Sequence, residues 1–155
     1  MPSALQQELR QRRPFQSAGH EAVVGLMRTA DLIRRQAAAL IEPHGITLQQ
    51  FNVLRILRGA EPDGLCRNEL RDRMLTRMPD VTRLLDRMEE SGLVTRTRDA
   101  DDRRLVSTRI TRQGRRMLDD LDGAVSAHQK QRLGHLDKEQ LRTLSDLLTL
   151  VRQPR

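Results

Sequence analysis

Apolar positions recur along the chain with two different periods. From His20 to Glu42, Val23, Leu26, Ala30, Ile33, Ala37 and Leu40 return at steps of three and four residues, the spacing of one helix face. Pro43 and Gly45 end that helix. Before it, residues 1–19 are polar and are broken at Pro14 and Gly19, which predicts a short helical arm or loose leader. Thr47 and Gln50 have the T-x-x-Q spacing of a capping box, and Leu48, Phe51, Leu54 and Leu57 form the stripe of the helix they open. A loop at Gly59, Pro62 and Gly64 leads to a short helix over Arg67 to Met74, with Leu70 and Met74 inward. After a turn at Thr76 and Arg77, a helix is expected from Pro79 to about Glu90, with Pro79 in its first turn and Val81, Leu84, Leu85 and Met88 on its inner face. Gly92 suits the position just past its end.

The period then changes. Leu93 to Arg98 and Arg104 to Ile110 are rich in β-branched residues with alternating polarity, and Asp99 to Arg103 lie between them as a polar tip, so a β-hairpin is expected. Thr111 caps a helix reaching about Gly134, with Met117, Leu118, Leu121, Val125 and Leu133 as its stripe; Gly114, in its first turn, is read as tolerated there. Asp137 and Gln140 start a last helix carrying Leu141, Leu144, Leu147, Leu148 and Val151. The fold class is mainly α with a small β wing: helix, short helix, turn, helix and hairpin make a winged helix-turn-helix.

Charge sharpens this picture. The 155 residues hold 28 Lys plus Arg against 21 Asp plus Glu, a net charge of +7. All the basic residues except Lys130 and Lys138 are arginine. Residues 67–116 carry 14 basic and 9 acidic side chains, whereas 117–155 carry 6 of each, so the polyanion footprint is expected in the middle of the chain. The opposing reading is a set of solvated arginine-rich helix faces. Phe15 and Phe51 are the sole aromatics, which argues against binders that stack single-stranded bases on aromatic rings. Duplex binding uses arginine, lysine and helix ends and is untouched by that argument.

The helix from Pro79 is short enough to lie in a major groove, and its outward positions include Asp80, Thr82, Arg83 and Arg87. Arg103 and Arg104 at the hairpin tip stand beside Asp99, Asp101 and Asp102; a narrow minor groove attracts such arginines, and a neighbouring carboxylate can orient a guanidinium. Thr76 and Arg77 in the preceding turn complete the candidate contact set. Arg112, Arg115 and Arg116 are equally readable as phosphate contacts and as solvated charges.

The single cysteine, Cys66, excludes an intrachain disulfide; a redox role is one reading, but a half-buried structural thiol in a small strand packed on the wing weighs more. The four histidines, His20, His44, His128 and His135, match no common ligand spacing, so neither a metal nor a cofactor is expected. His20 or His44 could line a ligand pocket, although surface or capping roles weigh more. No phosphate loop, nucleophile elbow or zinc-protease motif is present, which argues against an enzyme. Without an apolar leader or a run of about 20 apolar residues, a soluble cytoplasmic protein is the expectation.

Three segments carry a family resemblance. Gly45 to Leu57 (GITLQQFNVLRIL), Val81 to Val94 (VTRLLDRMEESGLV), and Asp101 to Arg104 (DDRR) with Ile110 to Gly114 (ITRQG) resemble, in order and spacing, the DNA-binding domain of the MarR family. The likeness spans roughly residues 20–150. It implies a homodimeric transcription regulator, a repressor in many relatives, that binds a pseudo-palindromic operator in double-stranded DNA and responds to a small aromatic or other organic-acid effector, or to oxidants. By the same match Thr82 and Arg83 would sit at the major groove, and Arg103 or Arg104 would enter the minor groove with Asp102 as orienting partner. Residues 45–110 would form the winged helix-turn-helix, residues 20–44 with 111–155 the helical dimerisation region, and 1–19 an N-terminal arm. Two departures stand out: Met78 precedes Pro79 where a Ser or Thr cap is common, leaving Thr76 as the alternative cap, and Ala100 replaces a frequent tip proline. The competing reading is a winged-helix module that binds another protein and has lost specific DNA binding.

Overall fold

The computed structural model describes residues 1–98, 102 and 105–153. In chain order the elements are α1 (Ala4–Glu8), α2 (Ala18–Ile41), a 3-10 turn (Glu42–His44), α3 (Leu48–Arg58), β1 (Leu65–Cys66), α4 (Arg67–Arg73), α5 (Val81–Glu90), β2 (Val94–Arg98), β3 (Val106–Ile110), α6 (Arg112–Leu133) and α7 (Lys138–Arg152). The chain forms two compact units, residues 1–49 and 50–155.

In the first unit the Ser3 hydroxyl caps α1, and Leu5 reaches Gly25 of α2, where an added Cβ would lie 3.4 Å from the leucine. Arg28 of α2 pairs with Glu8 of α1 at 2.5 Å. The expected break at Gly19 does not occur. Ser17 accepts from the His20 N–H at 3.1 Å, so Gly19 falls inside a capped first turn, where its lack of a side chain costs little. The apolar stripe of α2 is present but largely uncovered: Val23, Met27, Leu32 and Ile33 are all exposed, and Ile41 is its one buried residue.

The second unit holds a continuous core. Val53, Leu54 and Leu57 of α3, Leu70 of α4, Leu85 and Met88 of α5, and Leu118 and Leu121 of α6 are almost wholly buried. Each such side chain contributes about 1.5–3 kcal/mol relative to exposure. Leu48, Met74, Leu84, Met117 and Val125 are half-buried, and Leu133, expected inside, is exposed. The sheet is antiparallel in the order β1-β3-β2, with Val94 opposite Ile110, Arg98 opposite Val106, and Leu65 opposite Thr108. Cys66 is half-buried in β1, as expected, and its N–H donates to the Glu69 carboxylate at 2.9 Å across the start of α4. That bond to the backbone of Cys66 is the main cause holding the Glu69 carboxyl below its usual range.

Two junctions aim the wing. At the end of α5, Gly92 takes φ +74°, and Gly92 N–H and Leu93 N–H close onto the carbonyls of Glu89 and Met88 at 2.9 Å each. This paired closure is a Schellman motif, and only a residue that tolerates positive φ sits comfortably at its turn. At the start of α6, the Thr111 hydroxyl accepts from Gly114 N–H at 3.1 Å and donates to the Gly92 carbonyl at 2.6 Å. The entry to β2 and the exit from β3 are thereby tied to one residue.

Candidate nucleic-acid interface

The outward face of α5 follows from its inward one. Burial of Val81, Leu85 and Met88 on one side leaves Thr82, Arg83 and Arg87 exposed on the other. The helix begins at Val81, two residues later than expected, because Asp80 is its cap: the carboxylate accepts from Arg83 N–H at 2.9 Å. Asp80 is therefore a structural acceptor, neither Met78 nor Thr76 serves as the cap, and Pro79 lies outside the helix. The preceding turn is fixed from α3, where the Asn52 side chain accepts from Leu75 N–H at 2.9 Å. Thr76 and Arg77 project from this turn and are exposed.

Several arginines of the second unit are held by partners within the fold. Arg58 of α3 grips Asp122 of α6 through bonds of 2.8 and 3.1 Å and reaches Asp119 at 3.5 Å. That hydrogen bond raises the Arg58 pKa and lowers that of Asp122. Arg115 of α6 pairs with Glu61 of the loop after α3. Arg96 is bound to Glu89 and Asp86 of α5, and Arg109 donates to the Asp63 carbonyl at 3.1 Å. Against these, Arg77, Arg83, Arg87 and Arg98 form no ion pair among the described residues. A guanidinium held by a carboxylate is neutralised and immobilised, whereas an unpaired one keeps its full attraction for a polyanion.

Arg67 of α4 donates to the Thr82 hydroxyl at 3.2 Å, which leaves the hydroxyl proton of Thr82 available to an outside acceptor. A concavity of about 330 Å³ lies here, lined by Cys66, Arg67, Thr82, Leu85, Arg96 and Thr108. Asp102 is exposed, and its carbonyl accepts from Leu105 N–H at 2.9 Å. Arg103 and Arg104, the expected minor-groove residues, lie outside the described residues, as do Asp99, Ala100 and Asp101. Three partnerships had no sequence signal strong enough to name them: Arg67 with Thr82, Asn52 with Leu75, and Arg96 with its two carboxylates. Each joins residues 7 to 23 apart on different elements. Among the described residues no group of three His, Cys, Asp or Glu side chains is placed to hold a metal ion, and no helix is long and apolar enough to cross a membrane.

A buried helix pair that presents α5 outward, with a two-stranded hairpin at its flank, defines a winged helix-turn-helix protein. The family model for MarR matches residues 44–105, the segment from the end of the 3-10 turn into the wing. A MarR transcription factor from Planctomyces limnophilus, of known structure, is 36% identical, with 88% of this chain and 98% of that one covered at a TM-score of 0.66. The HTH-type transcriptional regulator FarR of Neisseria gonorrhoeae is 27% identical over 87% of this chain and 91% of its own. The S. aureus MepR structure, determined as a DNA complex, is 25% identical over 83% of this chain and 94% of that one, with a TM-score of 0.73. The chain belongs to the MarR family of transcriptional regulators.

Proposed function

We propose that this regulator binds duplex DNA in the cytoplasm as a twofold homodimer, with α5 in the major groove and the wing over the flanking minor groove, and that it acts as a repressor without catalytic activity. The observation that carries the reading is the outward face of α5 and the turn before it: Arg77, Arg83 and Arg87 are exposed there and form no ion pair among the described residues, while Arg58, Arg96 and Arg115 of the same unit are held by carboxylates. Thr82 and Arg83 would address base edges, Thr76, Arg77 and Arg87 the phosphates, and Arg103 or Arg104 the minor groove with Asp102 orienting it. MepR, of the same fold, was crystallised on DNA.

Dimerisation is assigned to residues 20–44 and 111–155. The exposed apolar residues of α2 (Val23, Met27, Ile33) and of α7 (Leu144, Leu147, Leu150, Val151) would be buried by a second copy. A small aromatic or other organic acid is the proposed effector; the recess beside Arg67 offers a cation for its carboxylate. The deciding experiment is a mobility shift on DNA from the gene's own upstream region, at two salt concentrations, with random duplex as competitor. A discrete complex that survives the competitor and weakens steeply with salt supports the reading. Equal displacement by random DNA would reduce it to polyanion binding, and no shift at low salt would favour a protein-binding role.

A further inference from the structure

The wing of a winged helix reads DNA usefully only if its angle to the recognition helix is fixed before binding. Otherwise each encounter loses the freedom of a swinging hairpin. In this chain the hairpin leaves α5 through the three residues Ser91 to Leu93, and one side chain spans that corner. Arg96 Nε and Nη2 both donate to Glu89 Oε2, at 2.9 and 2.7 Å, and Nη2 also reaches Asp86 Oδ1 at 2.6 Å. The Arg96 backbone N–H donates to the other Glu89 oxygen at 3.1 Å. Glu89 therefore holds the strand by main chain and side chain together. The Arg96 side chain is 25% exposed, and Asp86 and Glu89 are 48% and 40% exposed. Hydrogen bonding to Arg96 lowers the Glu89 pKa and that to Glu89 raises the Arg96 pKa, as expected for a pair made in the folded state. Arg98, two residues further along β2, is exposed and forms no ion pair among the described residues, so the strand that is clamped is also the one that carries a cation outward.

We propose that Arg96, held by Asp86 and Glu89, is a positioning residue that sets the wing against α5 and thereby couples minor-groove to major-groove contact. This rests on the DNA-binding reading above. The obvious rival is that Arg96 is one more cation for DNA. The two ideas predict opposite signs for the same variant. Asp86→Asn with Glu89→Gln removes two negative charges from the helix that faces DNA and leaves Arg96 in place. Simple electrostatics then predicts tighter binding. A clamp predicts looser specific binding, because the wing and α5 become weakly coupled contacts.

The test uses full-length protein and a duplex selected by the wild type from a randomised pool, with affinity by mobility shift and contacts by hydroxyl-radical footprinting. Circular dichroism and size exclusion confirm that the variants keep the wild-type helix content and assembly. The double variant is expected to bind the selected duplex about tenfold more weakly or worse, as one of two linked contacts is lost. Protection of the flanking minor grooves should disappear while the central major-groove protection remains, and affinity for random DNA should hold or rise. Arg96→Met should lose the same flanking protection. Selected-duplex affinity equal to or tighter than wild type, with the full footprint kept, would overturn the clamp alone. Failure of the wild type to enrich any duplex would overturn the DNA-binding reading and the clamp with it.

Discussion

Gly114 and Gly123 lie in the same helix, nine residues apart, and alanine at the two should act with opposite sign. A Cβ at Gly123 would meet nothing within 4 Å, whereas at Gly114 it would lie 2.5 Å from the Leu93 carbonyl oxygen, 2.8 Å from Ile110 Cγ1 and 3.0 Å from Leu54 Cδ2. The first of these neighbours is backbone and cannot swing aside. It also accepts from the Thr111 N–H at 3.1 Å, so moving it disturbs the junction between wing and α6. Glycine to alanine in a helix gains up to about 1 kcal/mol, from propensity and from a less flexible unfolded chain. Overpacking at a tight core site costs about 1–3 kcal/mol. Gly123→Ala is therefore expected to raise the melting temperature by about 2–4 °C, and Gly114→Ala to lower it by at least as much. Thermal unfolding followed by far-UV circular dichroism at fixed protein concentration measures both, since the chain has no Trp or Tyr to report by fluorescence. A Gly114→Ala protein as stable as wild type would refute the close-contact argument, and a destabilised Gly123→Ala would show that this face of α6 is not open.

Other outcomes follow from the same geometry. Arg83→Ala should weaken binding to a specific duplex by about 1–3 kcal/mol if Arg83 addresses base edges, while the dimer stays folded; unchanged affinity in a mobility shift would remove Arg83 from the interface. Leu150→Asp, on the exposed stripe of α7, should shift the protein toward monomer in size exclusion at micromolar concentration, and an unaltered elution would show that this stripe is not the dimer contact. The Arg58 guanidinium holds the Asp122 carboxyl below its usual range, so the pair's stabilisation is present above the unfolded carboxyl value of about 3.9 and is lost as pH falls through the lower folded value. Asp122→Asn should accordingly flatten the acid limb of urea-unfolding stability below about pH 4, and an unchanged limb would mean the pair contributes nothing there.

Much of this protein is fixed by local pattern. The 3.6-residue stripes, the Thr111 and Asp137 caps, Gly92 and the alternating hairpin each act through neighbours a few residues away, so element order and the winged helix could be read without a structure. The outward set Thr82, Arg83 and Arg87 followed from the same periodicity, because burying Val81, Leu85 and Met88 turns those three out. Where local signals competed, the reading slipped. Pro79 was expected in the first turn with Thr76 as the alternative cap, and the Asp80 bond to Arg83 N–H instead starts the helix at Val81. Which arginines are free and which are bound was settled by contacts between distant elements, as in Arg58 with Asp122, 64 residues away, and Arg96 with Glu89 around a corner. Gly114 looked merely tolerated until the fold brought the Leu93 carbonyl and the Leu54 and Ile110 side chains to within a Cβ of it. Periodicity specifies which face of a helix is buried, but charge partners and steric limits depend on what the packed chain places opposite.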